Sequence, residues 1–212
     1  MSLFLGKIHF WLFNKILWFE GLENEIIDVA KSQGLDISKL QREIEGKYGD
    51  KLPNKPLDEI IDTSNIHGWL QEKIHSSEGR VAAWTTIIID NNIEAKTKLE
   101  QVYINQGIMA AKEVKEEGFI LDSAEDIFNK VNDYILDGMP CDRVNEIINS
   151  NENFVEWTRR NCVHKEIWDK ENGDVDYFYF LRSLWIKAFV NEINPEFEYI
   201  EEITGIKSIK RK

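Results

Sequence analysis

The chain reads as an all-α protein, an antiparallel helical bundle of about six main helices with an internal repeat, and three observations predict it. Apolar residues recur at three- and four-residue steps along nearly the whole chain. Glycines and N-capping residues punctuate these stretches where helices should stop and start. No convincing alternation of apolar and polar residues argues for strands; Thr85 to Ile89 is β-branched but continues a helical stripe.

Taken in order, the helical stretches cover residues 3–33, 37–48, 57–62, 64–91, 93–117, 122–137, 140–150, 152–172 and 174–193, with a short helix near 196–204. Gly34, Gly49, Gly118, Gly138 and Gly173 fall at the stops, and Asp36, Ser64, Asp122 and Asp174 at the starts. Asp122 and Glu125 have the reciprocal spacing of a capping box. Pro53 and Pro56 mark 49–57 as a connecting loop, too short to join separate domains, so 1–212 reads as one helical domain.

Composition narrows the functional classes. With 26 basic and 38 acidic residues the net charge is -12, which repels phosphate backbones, so no nucleic-acid partner is expected. The basic run KSIKRK at 207–212 reads as a solvated tail. Two cysteines are too few for a disulfide scaffold and suit a reducing, cytoplasmic setting. The apolar stretch from Leu3 to Phe19 is broken by Lys7, His9, Asn14 and Lys15, so it reads as a buried helix and no transmembrane segment is expected.

The repeat carries the chemistry. Residues 8–21 (IHFWLFNKILWFEG) and 66–79 (IHGWLQEKIHSSEG) share eight letters, among them His9/His67, Trp11/Trp69, Lys15/Lys73, Glu20/Glu78 and Gly21/Gly79. Eleven residues span about three turns, or about 16 Å, so His9 and Glu20 share one face and His67 and Glu78 another. In both copies that face is the apolar one, carrying Leu12 and Ile16 or Leu70 and Ile74. A buried carboxylate requires a partner. Two copies packed antiparallel about a pseudo-twofold axis would set His9 beside Glu78 and His67 beside Glu20, and the glycines after each Glu would allow a close approach.

His164 projects with Phe154, Trp157 and Trp168 on the expected 152–172 helix, giving a third inward-facing histidine. Helical-bundle metal sites are built from inward His and carboxylates, so His9, His67, His164, Glu20 and Glu78 form a candidate set for iron, manganese or zinc. A di-iron site would need Glu-x-x-His on two helices. The chain has one, Glu72-x-x-His75, turned away from the stripe.

Cys141 follows Pro140 at an expected helix start, where free N–H groups and the dipole favour a thiolate, which makes it a candidate nucleophile. Cys162 and His164 diverge by about 200° on a helix and cannot chelate together. The aromatic run 176–190 suits a central helix or an oligomer face. No phosphate loop, dinucleotide fingerprint or serine elbow is present. Three functional readings remain: a metal or small-ligand site between the repeat helices; a structural or interaction protein, a homodimer, whose His–Glu pairs set packing; and a thiol-dependent enzyme using Cys141.

Overall fold

The computed structural model describes residues 5–212. The first expected helix opens at residue 3, and residues 3 and 4 lie outside the described residues. In chain order the elements are α1 (Lys7–Ser32), α2 (Ile37–Tyr48), α3 (Leu57–Ile60), α4 (Ile66–Asn91), a 3-10 turn (Ile93–Ala95), α5 (Lys96–Glu116) and α6 (Ala124–Tyr134). A second 3-10 turn (Pro140–Asp142) follows, then β1 (Asn145–Ser150), β2 (Phe154–Arg159), α7 (Lys165–Lys170), α8 (Val175–Ile193), β3 (Phe197–Glu201) and β4 (Ile206–Arg211). No helix among them is long and apolar enough to cross a membrane.

The all-α expectation is corrected: the chain is mostly helical but carries a four-stranded antiparallel sheet of order β1-β2-β4-β3. The strands lie where six-residue segments satisfy both periodicities. Phe154, Trp157, His164 and Trp168 fall at helical steps, yet buried Val155 and Trp157 alternate with less buried neighbours along β2. Asn151 decides the matter locally, its Oδ1 accepting the N–H of Asn153 (2.8 Å) and Phe154 (3.1 Å) to close a hairpin turn. The expected helix at 196–204 is β3. The supposed basic tail is β4, with Ile209 fully buried, Lys207 against Glu201 (3.1 Å) and Lys210 against Glu198 (3.7 Å).

The helices that are present begin and end near the expected positions. Asp36 caps α2 by accepting the Lys39 N–H at 3.1 Å, whereas Asn65 rather than Ser64 caps α4. At α6 the hydroxyl of Ser123 accepts the Asp126 N–H (3.0 Å) and donates to its carboxylate (2.7 Å), one residue beyond the expected box.

The chain folds into two compact units, each assembled from separated stretches. Of the described residues, the first takes 5–96, 135–139 and 164–174, and so holds α1 to α4 and α7. Its core runs along α1 and α4 through Leu12, Ile16, Ile26, Leu70, Ile74, Val81 and Ile88, each at most 1 % exposed.

The second unit takes 97–134, 140–163 and 175–212. Val155, Ile209 and Tyr199 are neighbours across β2, β4 and β3 and share one face with Trp157 and Phe197. That face packs on α6, where Phe128 lies 4.9 Å from Trp157, and on α8. Helix α5 meets α8 at Gly107, where a Cβ would fall 2.4 Å from the carbonyl oxygen of Trp185, while Gln106 accepts the Trp185 indole N–H at 3.0 Å.

Gly107→Ala gains about 1 kcal/mol of helix propensity but drives a methyl into backbone that cannot rotate away. A net loss of about 1–3 kcal/mol in urea unfolding is expected; an unchanged or raised midpoint would show that α5 and α8 can separate freely.

Candidate functional site

Helices α1 and α4 lie side by side and parallel, which corrects the antiparallel expectation. The His9 and His67 rings are 5.5 Å apart near the two N-termini. Arg80 reaches Glu20 and Glu23 midway, and Asn91 donates to Gln33 at 2.8 Å near the C-termini. Repeat-related residues therefore meet one another, and neither His9–Glu78 nor His67–Glu20 forms. The connection from Gln33 to Asn65 contains α2, which carries the chain back and makes a parallel return possible.

The repeated letters play matching packing roles. Leu12 and Leu70, Ile16 and Ile74 are buried together. In each copy a lysine four residues on lies over a tryptophan ring, Lys15 over Trp11 at 3.5 Å and Lys73 over Trp69 at 5.8 Å. Gly79 admits the Tyr48 ring, which would stand 2.3 Å from an added Cβ. The expected close approach is therefore made by a neighbouring side chain.

Arg80 is fully buried, and its partners were not anticipated. Its Nε donates to both Glu23 oxygens (3.0 and 3.2 Å), and Nη2 donates to Glu20. Nη1 donates to Ser76 Oγ (2.7 Å) and faces the carbonyls of Gly49 (3.2 Å) and Asp50 (3.3 Å). Glu20 also accepts the Leu52 N–H at 3.1 Å, and Lys51 stands 3.6 Å from Glu23. Two cations thus balance two carboxylates. Burial nevertheless pushes the Glu23 carboxyl above its ordinary range, outweighing the opposite pull of Arg80 and Lys51. The available signal was Glu20 and Glu23 three residues apart on an apolar face, followed by a cation within the apolar stripe of α4.

His164 and Glu78 do come together. His164 is the residue before α7 rather than part of a long helix; its Nδ1 meets Glu78 and its Nε2 lies 2.9 Å from Asp137. Both His164 and Glu78 are at most 2 % exposed. The two ring nitrogens thus face two carboxylates, and His164 bridges Glu78 and Asp137.

His9 is buried at the start of α1, and its Nδ1 accepts the Gly6 N–H at 2.9 Å, capping the helix. Burial, then the neighbouring His67, lower its pKa from 6.5. His67 is exposed, contrary to the inward face expected for it. The five candidate ligands therefore lie in three places: His9 with His67, Glu20 with Arg80, and Glu78 with His164. Among the described residues no group of three or more His, Cys, Asp or Glu side chains is placed to hold a metal.

Cys141 lies in the 3-10 turn, and the residues after it continue into β1, so the helix start expected to activate it is absent. Both cysteines are exposed and outside any disulfide, and Cys162 Sγ lies 3.1 Å from the Tyr179 hydroxyl.

Within the second unit a groove of about 570 Å³ runs between α8 and β3. Phe180, Ser183, Leu184 and Lys187 line it from the helix, and Glu198, Tyr199, Ile200 and Glu201 from the strand. Successive strand residues point to opposite faces, so a groove touching four in a row follows the strand's open edge. Ser183 and Tyr199 both donate to Glu201, and burial holds the Tyr199 phenol protonated, well above its ordinary value. No protein-family model, curated relative or solved structure matches the chain.

Two measurements probe the first unit. Arg80→Met strands two buried carboxylates and is expected to lower stability by about 3–5 kcal/mol in urea. Adding Glu23→Gln should recover part of that loss, and simple additivity of the two changes would refute the coupling. For His9 the folded value lies below 6.5, so its contribution is complete above that pH and is lost as pH falls through it. Unfolding free energy should therefore drop more steeply from neutral to mildly acidic pH in the wild type than in His9→Gln, and equal slopes would show that His9 is not buried neutral.

Proposed function

We propose that the protein is an interaction module that takes an extended polypeptide segment as an added strand along β3, seated in the groove against α8. The observation that carries this reading is the difference between the two sheet edges. On the β1 edge the register shifts between Ile147 and Asn149, a bulge that spoils it as a template. On β3 the register runs without interruption from Phe197 to Glu201, and its outer side opens on a groove. Main-chain groups of the edge supply affinity in such recognition, and flanking side chains choose the sequence. Here exposed Phe180 with Leu184 and Ile200 favours an apolar residue in the segment, and Lys187 a nearby acidic one.

The buried polar groups support the same class of reading. Glu78 with His164, and Glu20 and Glu23 with Arg80, are satisfied by one another, as expected of groups that set helix register rather than hold a ligand. Two cysteines outside disulfides support a reducing, cytoplasmic setting.

Panning a random displayed heptapeptide library against the whole protein should return segments with an apolar residue near an acidic one. Leu184→Arg and Lys187→Glu should each weaken the selected peptide at least tenfold by calorimetry, and the peptide should slow amide exchange at residues 197–201. Binding untouched by both variants, or protection confined to other elements, would refute the assignment.

A further inference from the structure

The outward side of α1 carries large apolar side chains among its polar ones. Phe10 and Leu17 are 41 % and 40 % exposed, with half-buried Trp11 and Trp18 beside them. Lys7, Phe10, Asn14, Leu17, Gly21, Glu25 and Asp28 succeed one another at steps of three and four and so form one stripe. Its charge is divided: exposed Lys7 stands at the N-terminal end, and exposed Glu25 and Asp28 at the other. Lys31, which pairs with Asp28 at 2.7 Å, lies to the side of the stripe.

We propose that this stripe pairs with the same stripe of a second copy, two α1 helices crossing antiparallel about a twofold axis between Leu17 and Trp18. An isologous contact sets each residue against its mirror in sequence about the axis. Lys7 then faces Asp28 of the other copy, with Glu25 one turn further in. Phe10 lies between Glu25 and Gly21, where the glycine leaves room for the ring, and Leu17 packs on Trp18. A parallel pairing would instead put Lys7 on Lys7 and the acidic ends together. The charge of -12 makes two copies repel at long range, so an orientation that pairs opposite charges locally is favoured. The same acidic end argues against an anionic membrane as the occupant. This pairing is independent of the strand-binding groove, which lies in the other unit.

Sedimentation equilibrium of the full chain at tens of micromolar should give about twice the 24.9 kDa chain mass. Leu17→Glu, at an exposed position, should leave the circular dichroism unchanged and return the mass to that of one chain. Lys7→Glu should weaken association about tenfold, and combining it with Glu25→Lys and Asp28→Lys in one chain should restore it. A wild type that sediments as one chain overturns the proposal, whether or not it pellets with neutral phosphatidylcholine vesicles. So does an unchanged mass in Leu17→Glu, or a combined charge reversal that fails to restore the dimer.

Discussion

The first unit depends on Arg80. A guanidinium removed from water is tolerable only if nearly every donor finds an acceptor, and meeting that demand fixes several elements at once. Two acceptors come from α1, one from α4 itself, and two carbonyls from the segment after α2. The same Glu20 that receives Arg80 receives the Leu52 amide, so the loop is tied to α1 by the residue that ties α1 to α4. Hydrophobic burial along Leu12, Ile16, Leu70 and Ile74 supplies the larger driving force, but it tolerates sliding by a helical turn. The charges do not, because a shift of one turn would leave a buried ion without a partner.

The parallel arrangement explains why the repeated letters recur. When related residues face each other across a parallel pair, the same surface must pack against its own likeness. Trp–Lys stacking at the flank and buried leucine and isoleucine at the seam serve both copies. The copies diverge where their neighbours differ: Glu20 finds an arginine and Glu78 a histidine, while His9 caps a helix and His67 stays in solvent.

What could be read from the letters follows the length scale of each signal. Helix α2 was legible to the residue because a capping aspartate and a stopping glycine bracket a full amphipathic period. The need of Glu20 and Glu78 for partners was legible too, since a carboxylate that stays ionised in a core has to be paired. Which partner each found was not, because that depends on whether α1 and α4 run parallel, a property of the connecting segment rather than of the helices. The strands were hidden for a different reason: six residues hold fewer than two helical turns, so Trp157 fits a helical step from Phe154 as well as a strand's alternation with Val155, and Lys207 and Lys210 resembled a tail until β3 supplied their acids. Cys141 follows the same rule, since a Pro-Cys-Asp start activates a thiol only if a helix follows, and here β1 follows.

The interleaving of the two units bears on how the chain is made. The second unit's sheet has β4 between β2 and β3, so neither of those strands reaches the other until β4 is in place. The first unit in turn requires His164 and α7, which lie far along the chain from α1. During synthesis, then, α1 and α4 emerge with Glu78 still lacking its histidine, and β1 and β2 emerge as a hairpin without a sheet. The first unit has all its segments once residue 174 has been added, whereas the second still waits for β4, so a ribosome stalled before His164 would display two unfinished cores rather than one finished domain.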